Sequence, residues 1–456
     1  MKMVKSLLLG SAAGLVAIAG AQAADLPVKA KPVEYVKICS AYGAGFYYIP
    51  GTDICLRVGG YAFVETGYNA RVGDAYIYTY TIGADLVLNQ DDNRVNFRAR
   101  GTVILDARSQ TAIGTVRTYV AFGADFNNNI NGIGAGGNVG AYLERAFIQF
   151  AGFTAGQSAS FFDFGGWYST FALSSVAWDW LPVFAYTANF GNGFSATLSV
   201  EDGQARRIKW ATTIFTGTSS AGNAYGGQEV PDLIANLRVD QAWGSAQVSG
   251  ALHQLRPNQA WATAGTPTTY GWAVLGGIEI KTPMIAPGDS ITLQGVWSKG
   301  AVEYTGLSAS PLGVTQGIGL KNLLGVGPAL DVFDIGSTFV GGAWVSSDLT
   351  NAWSANLFFR HFWQPNLWSG FWVGYNRVEP QGNYVALFGH PANLTVVQAG
   401  SKVNWSPAPT LDLSLDVLWS RVEVGACASA ALAIQIASCN QATDIWAVWT
   451  RWRRNF

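Results

Sequence analysis

Residues 94 to 108 alternate so that Arg94, Asn96, Arg98, Arg100, Asp106 and Arg108 share one parity while Val95, Phe97, Ala99, Val103, Leu105 and Ala107 share the other. Successive side chains of a strand point to opposite faces, so this stretch reads as a β-strand with one cationic face and one apolar face. It must lie between two different media, and the apolar one is either a protein core or lipid.

The start of the chain bears on that choice. Lys2 and Lys5 precede an uncharged stretch that ends in the small-residue pattern Ala21-Gln22-Ala23, the signature of a cleaved secretory signal over residues 1–23. Cleavage there would leave 433 residues with 26 basic and 29 acidic side chains, a slightly acidic protein without the basic footprint of a nucleic-acid binder. Charged residues make up only 12% of the chain, against about 25% in a soluble domain. No segment beyond the signal offers the roughly 20 apolar residues of a membrane helix. An exported, weakly charged chain without such helices fits the other structure that can span a bilayer, a closed β-barrel.

An outer-membrane barrel has short periplasmic turns on one rim and long external loops on the other. Tight connections are expected near 109–111, 152–154, 191–193, 241–244, 282–289, 364–366 and 406–410, several rich in the Gly, Pro and Asn that turns need. Between them fall long stretches rich in Gly, Ser, Asn and Thr, at 69–93, 127–140, 161–182, 203–229, 254–269, 304–350, 379–392 and 425–441. Seven turns alternating with eight loops require sixteen antiparallel strands. Residues 76–88 could form a further strand.

In residues 194–201, Phe194, Ala196, Leu198 and Val200 take one parity and Ser195, Thr197, Ser199 and Glu201 the other. Soluble β-sandwiches alternate in the same way, so periodicity alone leaves them open. Aromatic residues at strand ends, Trp180, Phe184, Trp243, Trp353, Trp363, Trp368 and Trp405, favour the barrel because they suit the aromatic girdles of a bilayer's two interfaces.

The run Ala24-Asp-Leu-Pro-Val-Lys-Ala-Lys-Pro-Val-Glu-Tyr-Val-Lys-Ile-Cys39, followed by Tyr42-Gly-Ala-Gly-Phe-Tyr-Tyr-Ile-Pro-Gly51, resembles the alphaproteobacterial porin family. Further matches are Leu143-Glu-Arg-Ala-Phe-Ile-Gln-Phe150, Leu181-Pro-Val-Phe-Ala-Tyr-Thr-Ala-Asn-Phe-Gly-Asn-Gly193, Lys281-Thr-Pro-Met-Ile-Ala-Pro-Gly288 and the terminal Phe456. The resemblance implies an all-β transmembrane barrel of sixteen strands in the bacterial outer membrane, among its lipid and lipopolysaccharide. It also implies a homotrimer, passive diffusion of small hydrophilic solutes, and a third long loop that folds back into the pore. On that basis residues 24–53 lead into the barrel, 54–456 form it, and 161–182 constrict it.

The third loop carries Asp163 and Asp179 and no basic residue. Lumen parity in the first four strands places Arg57, Arg94, Arg98, Arg100, Arg117 and Arg145 on one wall sector. The expected constriction therefore sets Arg57, Arg98, Arg100, Arg117 and Arg145 opposite Asp163 and Asp179, making a transverse field across a narrow aqueous gap. The bland reading is that these arginines only form ladder salt bridges along the wall. Counting back from Phe456 also turns Arg451 and Arg453 inward near one mouth.

The cysteines form two sequence-local pairs, Cys39 with Cys55 and Cys427 with Cys439, in a compartment where disulfides persist. Pairing across the two loops stays open. A metal site competes, but no Cys-x-x-Cys spacing or adjacent His supports one. His253, His361 and His390 stand apart without a nucleophile at motif spacing, and no Gly-x-Ser-x-Gly elbow occurs. Gly132-Ile-Gly134-Ala-Gly-Gly137 matches a dinucleotide fingerprint in letters only, since Asn rather than a strand flanks it. The chain reads as a non-enzymatic diffusion channel without cofactor. A substrate-specific channel for a sugar or an anion, and a secreted carbohydrate-binding β-protein, are the competing readings.

Overall fold

Burial along the strands is inverted relative to a soluble sheet. Within Phe194–Glu201, Leu198 is 58% exposed while Ser199 is 1% exposed, and Thr197 and Glu201 are buried beside it. Leu237, Val248 and Trp297 are exposed in the same way, with Asn236, Gln247 and Ser298 buried between them. Such a surface is stable only where its solvent is apolar, and the polar positions then line a hydrated or hydrogen-bonded interior. The apolar side of the arginine strand follows the same rule, with Val95, Phe97 and Val103 exposed.

The structure, a computed structural model, describes residues 37–68, 95–127, 138–165, 168–170, 176–177, 179–208, 210–215, 225–307, 334–340, 343–381, 393–424 and 441–456. The chain divides into two compact units, Met1–Cys55 and Leu56–Phe456. In the first, Cys39 and Cys55 form a disulfide, and their buried sulfurs pack with Phe46, Tyr42 and Tyr48. The expected Cys427–Cys439 pair lies outside the described residues.

The barrel strands are β1 (Cys55–Tyr68), β2 (Val95–Thr111), β3 (Gly114–Asn127), β4 (Asn138–Phe150), β5 (Phe153–Ala159), β6 (Trp180–Gly191), β7 (Phe194–Glu201) and β8 (Asp232–Gln241). They continue as β9 (Gly244–Leu255), β10 (Thr269–Lys281), β11 (Ser290–Lys299), β12 (Asn351–Gln364), β13 (Leu367–Glu379), β14 (Leu394–Ala408), β15 (Leu411–Val424) and β16 (Gln441–Asn455). Each is antiparallel to the next, and β16 pairs back onto β1 with Glu65 opposite Arg451, which closes the sheet. Closure leaves the barrel without an edge strand, as a sheet embedded in lipid requires.

The described strand ends bracket all eight stretches expected as long connections. Six of the seven tight turns fall where expected, for example Gln241 to Gly244 and Thr282 to Asp289. A Cβ on Gly244 would sit 1.8 Å from the Glu279 carbonyl oxygen, which is why the turn before β9 takes glycine. The first turn is displaced: β2 runs through 109–111 to Thr111, whose hydroxyl donates to the Gly114 carbonyl at 2.7 Å and closes the reversal. Residues 76–88 lie outside the described residues.

The fourth and sixth long loops were expected to be irregular, yet they share a small three-stranded sheet. Trp210–Phe215 pairs parallel with Ile335–Val340, which pairs antiparallel with Ala343–Leu349. The two parallel strands lie more than a hundred residues apart, so no local periodicity announces their pairing. Among the girdle aromatics, Phe184, Trp243, Trp353, Trp363 and Trp405 are exposed on the lipid face. Two do not follow the expectation: Trp180 lies under Arg145, and Trp368 packs edge-on to Tyr168 of the third loop.

Candidate functional site: the arginine wall and the inserted loop

Inward positions of β1–β4 and β16 carry eight arginines that converge with four carboxylates in three tiers. In the tier toward the long loops, Arg98 donates from Nε to Asp125 at 2.9 Å and from Nη1 to Glu65 at 3.1 Å. Arg100 reaches Asp125 at 2.6 Å, and Arg451 reaches Glu65 at 2.7 Å. The Phe63 ring lies beneath the guanidinium groups of Arg98, Arg100 and Arg451. Arg98 keeps 6% of its side chain exposed, so it holds the wall together while Arg100 presents its charge to water.

In the middle tier, Glu144 accepts from the Tyr61 hydroxyl and from Arg145 at 3.1 Å, and Arg453 stacks on Tyr61 with its guanidinium carbon 4.1 Å from the ring centroid. Glu144 and Arg145 both face inward because β4 bulges there: Ala121 pairs with Arg145 and Phe122 with Leu143, leaving Glu144 as the extra residue. Strict alternation would have sent Glu144 into lipid. In the tier toward the tight turns, Asp106 is fully buried and accepts from Arg108 and Arg117, with Arg57 at 3.7 Å.

Arg57, Arg98, Arg100, Arg117 and Arg145 are thus gathered on one sector, as parity placed them. The partner carboxylates Glu65 and Asp125 escaped notice, although each shares the lumen parity of its strand. Arg94 lies outside the described residues.

The third loop enters the lumen and lies along the opposite sector, β8 to β15. Phe162 and Phe164 pack with Ile234, Ala251, Ala273 and Leu275 in the main apolar cluster. Asn236 donates to the Phe161 carbonyl at 2.6 Å and Gln247 to those of Phe162 and Asp163, so polar wall residues satisfy the loop backbone. Gly277 makes room for the loop, since a Cβ there would fall 2.5 Å from Phe164. Further along, the Tyr168 hydroxyl donates to Glu279 at 2.9 Å under the Arg360 guanidinium. Near the far end the Thr170 N–H donates to Asp416 at 2.7 Å, and Lys402 donates to the Thr170 hydroxyl at 2.7 Å.

Asp163 and Asp179 do not face the arginine wall, and this corrects the sequence expectation. Arg206 donates to Asp163 at 2.9 Å and lies 4.0 Å from Asp179, while Asp163 also accepts the Asp179 N–H at 2.7 Å. All three side chains are buried, with Glu201 close by capping Ser160 and Phe161. Burial pushes the Asp163 carboxyl above its ordinary range, and burial with the neighbouring Asp163 charge pushes Asp179 up to about 7. These acids anchor the loop's two roots, because a carboxylate without a nearby cation at this depth would be far too costly. The cation comes from the fourth long loop, where no periodicity marks it.

A model of the porin subfamily matches residues 25–448 of this chain. The chain belongs to the porin subfamily. It is 36% identical over 246 residues to the porin Omp2b of Brucella melitensis biotype 1, covering 52% of this chain and 62% of that one. It is 38% identical over 211 residues to the porin Omp2b of Brucella suis biovar 1, covering 44% and 54%. The porin thus spans somewhat under two thirds of the length of these curated relatives. In fold it is similar to the outer membrane channel DcaP of Acinetobacter baumannii, with a TM-score of 0.59 at 14% identity, covering 90% of this chain and 99% of that one. Family and barrel together make the porin an integral outer-membrane protein.

Proposed function

We propose that this porin forms a water-filled channel for passive diffusion of small hydrophilic solutes and ions, and that it works as a homotrimer in a lipopolysaccharide-bearing outer membrane. The observation that carries the reading is the division of the lumen. The third loop covers β8 to β15, while the arginines of β1–β4 and β16 keep lumen-facing surface, with Arg145 a third exposed. The free passage runs between loop and arginines, with Arg57, Arg100, Arg117 and Arg145 as its exposed charges and Arg98 buried in the wall behind them. Oriented charge along a narrow aqueous path favours polar solutes over apolar ones.

Conductance in planar bilayers tests this. Purified protein should give stepwise channels whose conductance rises in proportion to KCl concentration, without saturation. Absence of steps, or conductance that saturates at low salt, overturns general diffusion.

A further inference from the structure

Two features of the lipid face lie on neighbouring strands and point to one occupant. The first is a polar group on a face that is otherwise apolar. His361 of β12 shares its outward parity with Phe359 and with Trp363, which is 60% exposed. Its Nδ1 lies 2.7 Å from one Asp289 carboxylate oxygen, and the other oxygen accepts the Phe362 N–H at 2.7 Å. The Asp289 side chain is fully buried, while 19% of the His361 side chain is exposed. A carboxylate only accepts, so Nδ1 carries the proton of that bond and Nε2 is left without a partner among the described residues. The Trp363 ring stands edge-on to the imidazole at 4.4 Å and is itself fixed by donation from its Nε1 to the Ser369 hydroxyl at 2.9 Å.

The second feature is a trench. Gly276, Gly295 and Ala355 stand opposite one another on β10, β11 and β12, and all three face outward. Val274, Trp297 and Trp353 rise on the loop side of this row, and Leu293 and Leu357 on its turn side, all five exposed. The cavity measures about 710 Å³ and continues to Leu237 and Phe194. In lipid, close packing rather than transfer out of water holds apolar surfaces together, so a trench retains a linear chain that fits it. His361 lies six residues nearer the tight turns than Ala355 on the same strand. That is about 20 Å along the strand, or about 14 Å of depth at a tilt of about 45°, close to the roughly 15 Å half-thickness of the hydrocarbon core. With His361 at headgroup level on the turn side, the trench falls near the bilayer midplane.

We propose that His361, oriented by Asp289, and the trench together hold one glycerophospholipid of the turn-side leaflet, its phosphodiester accepting a hydrogen bond from Nε2 and one acyl chain lying in the trench. As a histidinium the ring donates from both nitrogens, and the Asp289 charge balances its own. An amphiphile supplies both partners at the observed spacing, an anion at the rim and an apolar chain at mid-depth. A second copy of this chain would fill the trench but gives no reason for an open imidazole nitrogen at the rim. The site stands on the membrane location of the barrel and not on the channel reading.

Native mass spectrometry of the purified protein in detergent, titrated with dimyristoyl phosphatidylglycerol, should show one lipid per chain bound saturably. Dimyristoylglycerol, which has the chains without the phosphate, should bind at least about tenfold more weakly, the loss expected for one charge-assisted hydrogen bond, and H361A should cost the phospholipid a similar factor. G276F fills the trench and leaves the imidazole in place, and its Cβ meets no atom within 4 Å. It should weaken binding about threefold or more, as packing in the trench is lost. If H361A does not assemble because Asp289 loses its donor, G276F and the comparison of the two lipids decide. Equal binding of the two lipids, or phospholipid binding that neither substitution weakens, overturns the site. A G276F protein of lower oligomer mass with unchanged lipid binding overturns it too, and assigns the trench to a contact between copies.

Discussion

Arg206 donates to Asp163 at 2.9 Å with both side chains buried, and this pair decides where the negative charge of the inserted loop resides. The loop's acids are spent on fastening it to the fourth long loop, so the arginine sector across the lumen stands without carboxylates aimed at it from Asp163 or Asp179. In the proposed channel the field across the passage would therefore come from the wall's own arginines and their partner carboxylates, not from a loop-to-wall dipole.

Replacing Arg206 with methionine leaves Asp163, Asp179 and Glu201 buried without their cation. Breaking a buried pair in this way costs about 3–5 kcal/mol. R206M should unfold at correspondingly lower denaturant, and limited proteolysis should cut within 161–182 sooner than in the unmodified protein. An unfolding curve that coincides with the unmodified one would remove Arg206 from its anchoring role.

The same cluster predicts a pH dependence. The Asp179 carboxyl titrates at 3.8 when unfolded and about 7 when folded, because burial disfavours its charge. A raised acid pKa means that the folded state holds its proton more tightly, so the stabilisation is complete below about pH 4 and is lost as pH rises through about 7. Thermal unfolding in detergent should therefore show stability falling between about pH 4 and pH 7, by an amount on the order of a few kcal/mol. D179N, neutral at every pH, should flatten that slope, and an equal slope in both proteins would refute the assignment.

Much of this architecture is legible in the sequence, and the reasons are local. Turn chemistry at 191–193 and 241–244 and the parity of Arg98, Arg100 and Arg117 are properties of neighbouring residues, so composition and alternation expose them. Glu144 was not legible because a single bulge residue breaks parity without any composition signal. The Arg206–Asp163 contact was not legible for a different reason: its partners lie 43 residues apart in two loops, and only the folded barrel brings them together. The wall arginines combine both readings weighed for them, since Arg98 is bound into the ladder while Arg57 stays open to water.

Gly277 sets how closely the loop approaches the wall. A methyl group there would overlap Phe164, so G277A should cost about 1–3 kcal/mol through overpacking. F164A alone should also destabilise, by about 3–5 kcal/mol for a buried phenylalanine. In the double variant the added methyl meets no ring, so its cost should vanish. Additive costs in a double-mutant cycle would show that the two positions do not touch.

At the far end of the loop, Lys402 and Asp416 hold Thr170 from two sides, with the Asp416 charge buried and Lys402 only 11% exposed. K402M leaves Asp416 buried beside an apolar side chain and should cost about 3–5 kcal/mol, whereas K402M/D416N removes both charges and should recover most of that loss. The two variants nevertheless share one consequence, because each removes the lysine that pins the Thr170 hydroxyl. Both should therefore show larger or noisier single-channel current than the unmodified protein, while K402R keeps the donor and should behave normally. If the double variant is stable and its current is indistinguishable from the unmodified channel, the clasp contributes to folding but does not set the width of the passage.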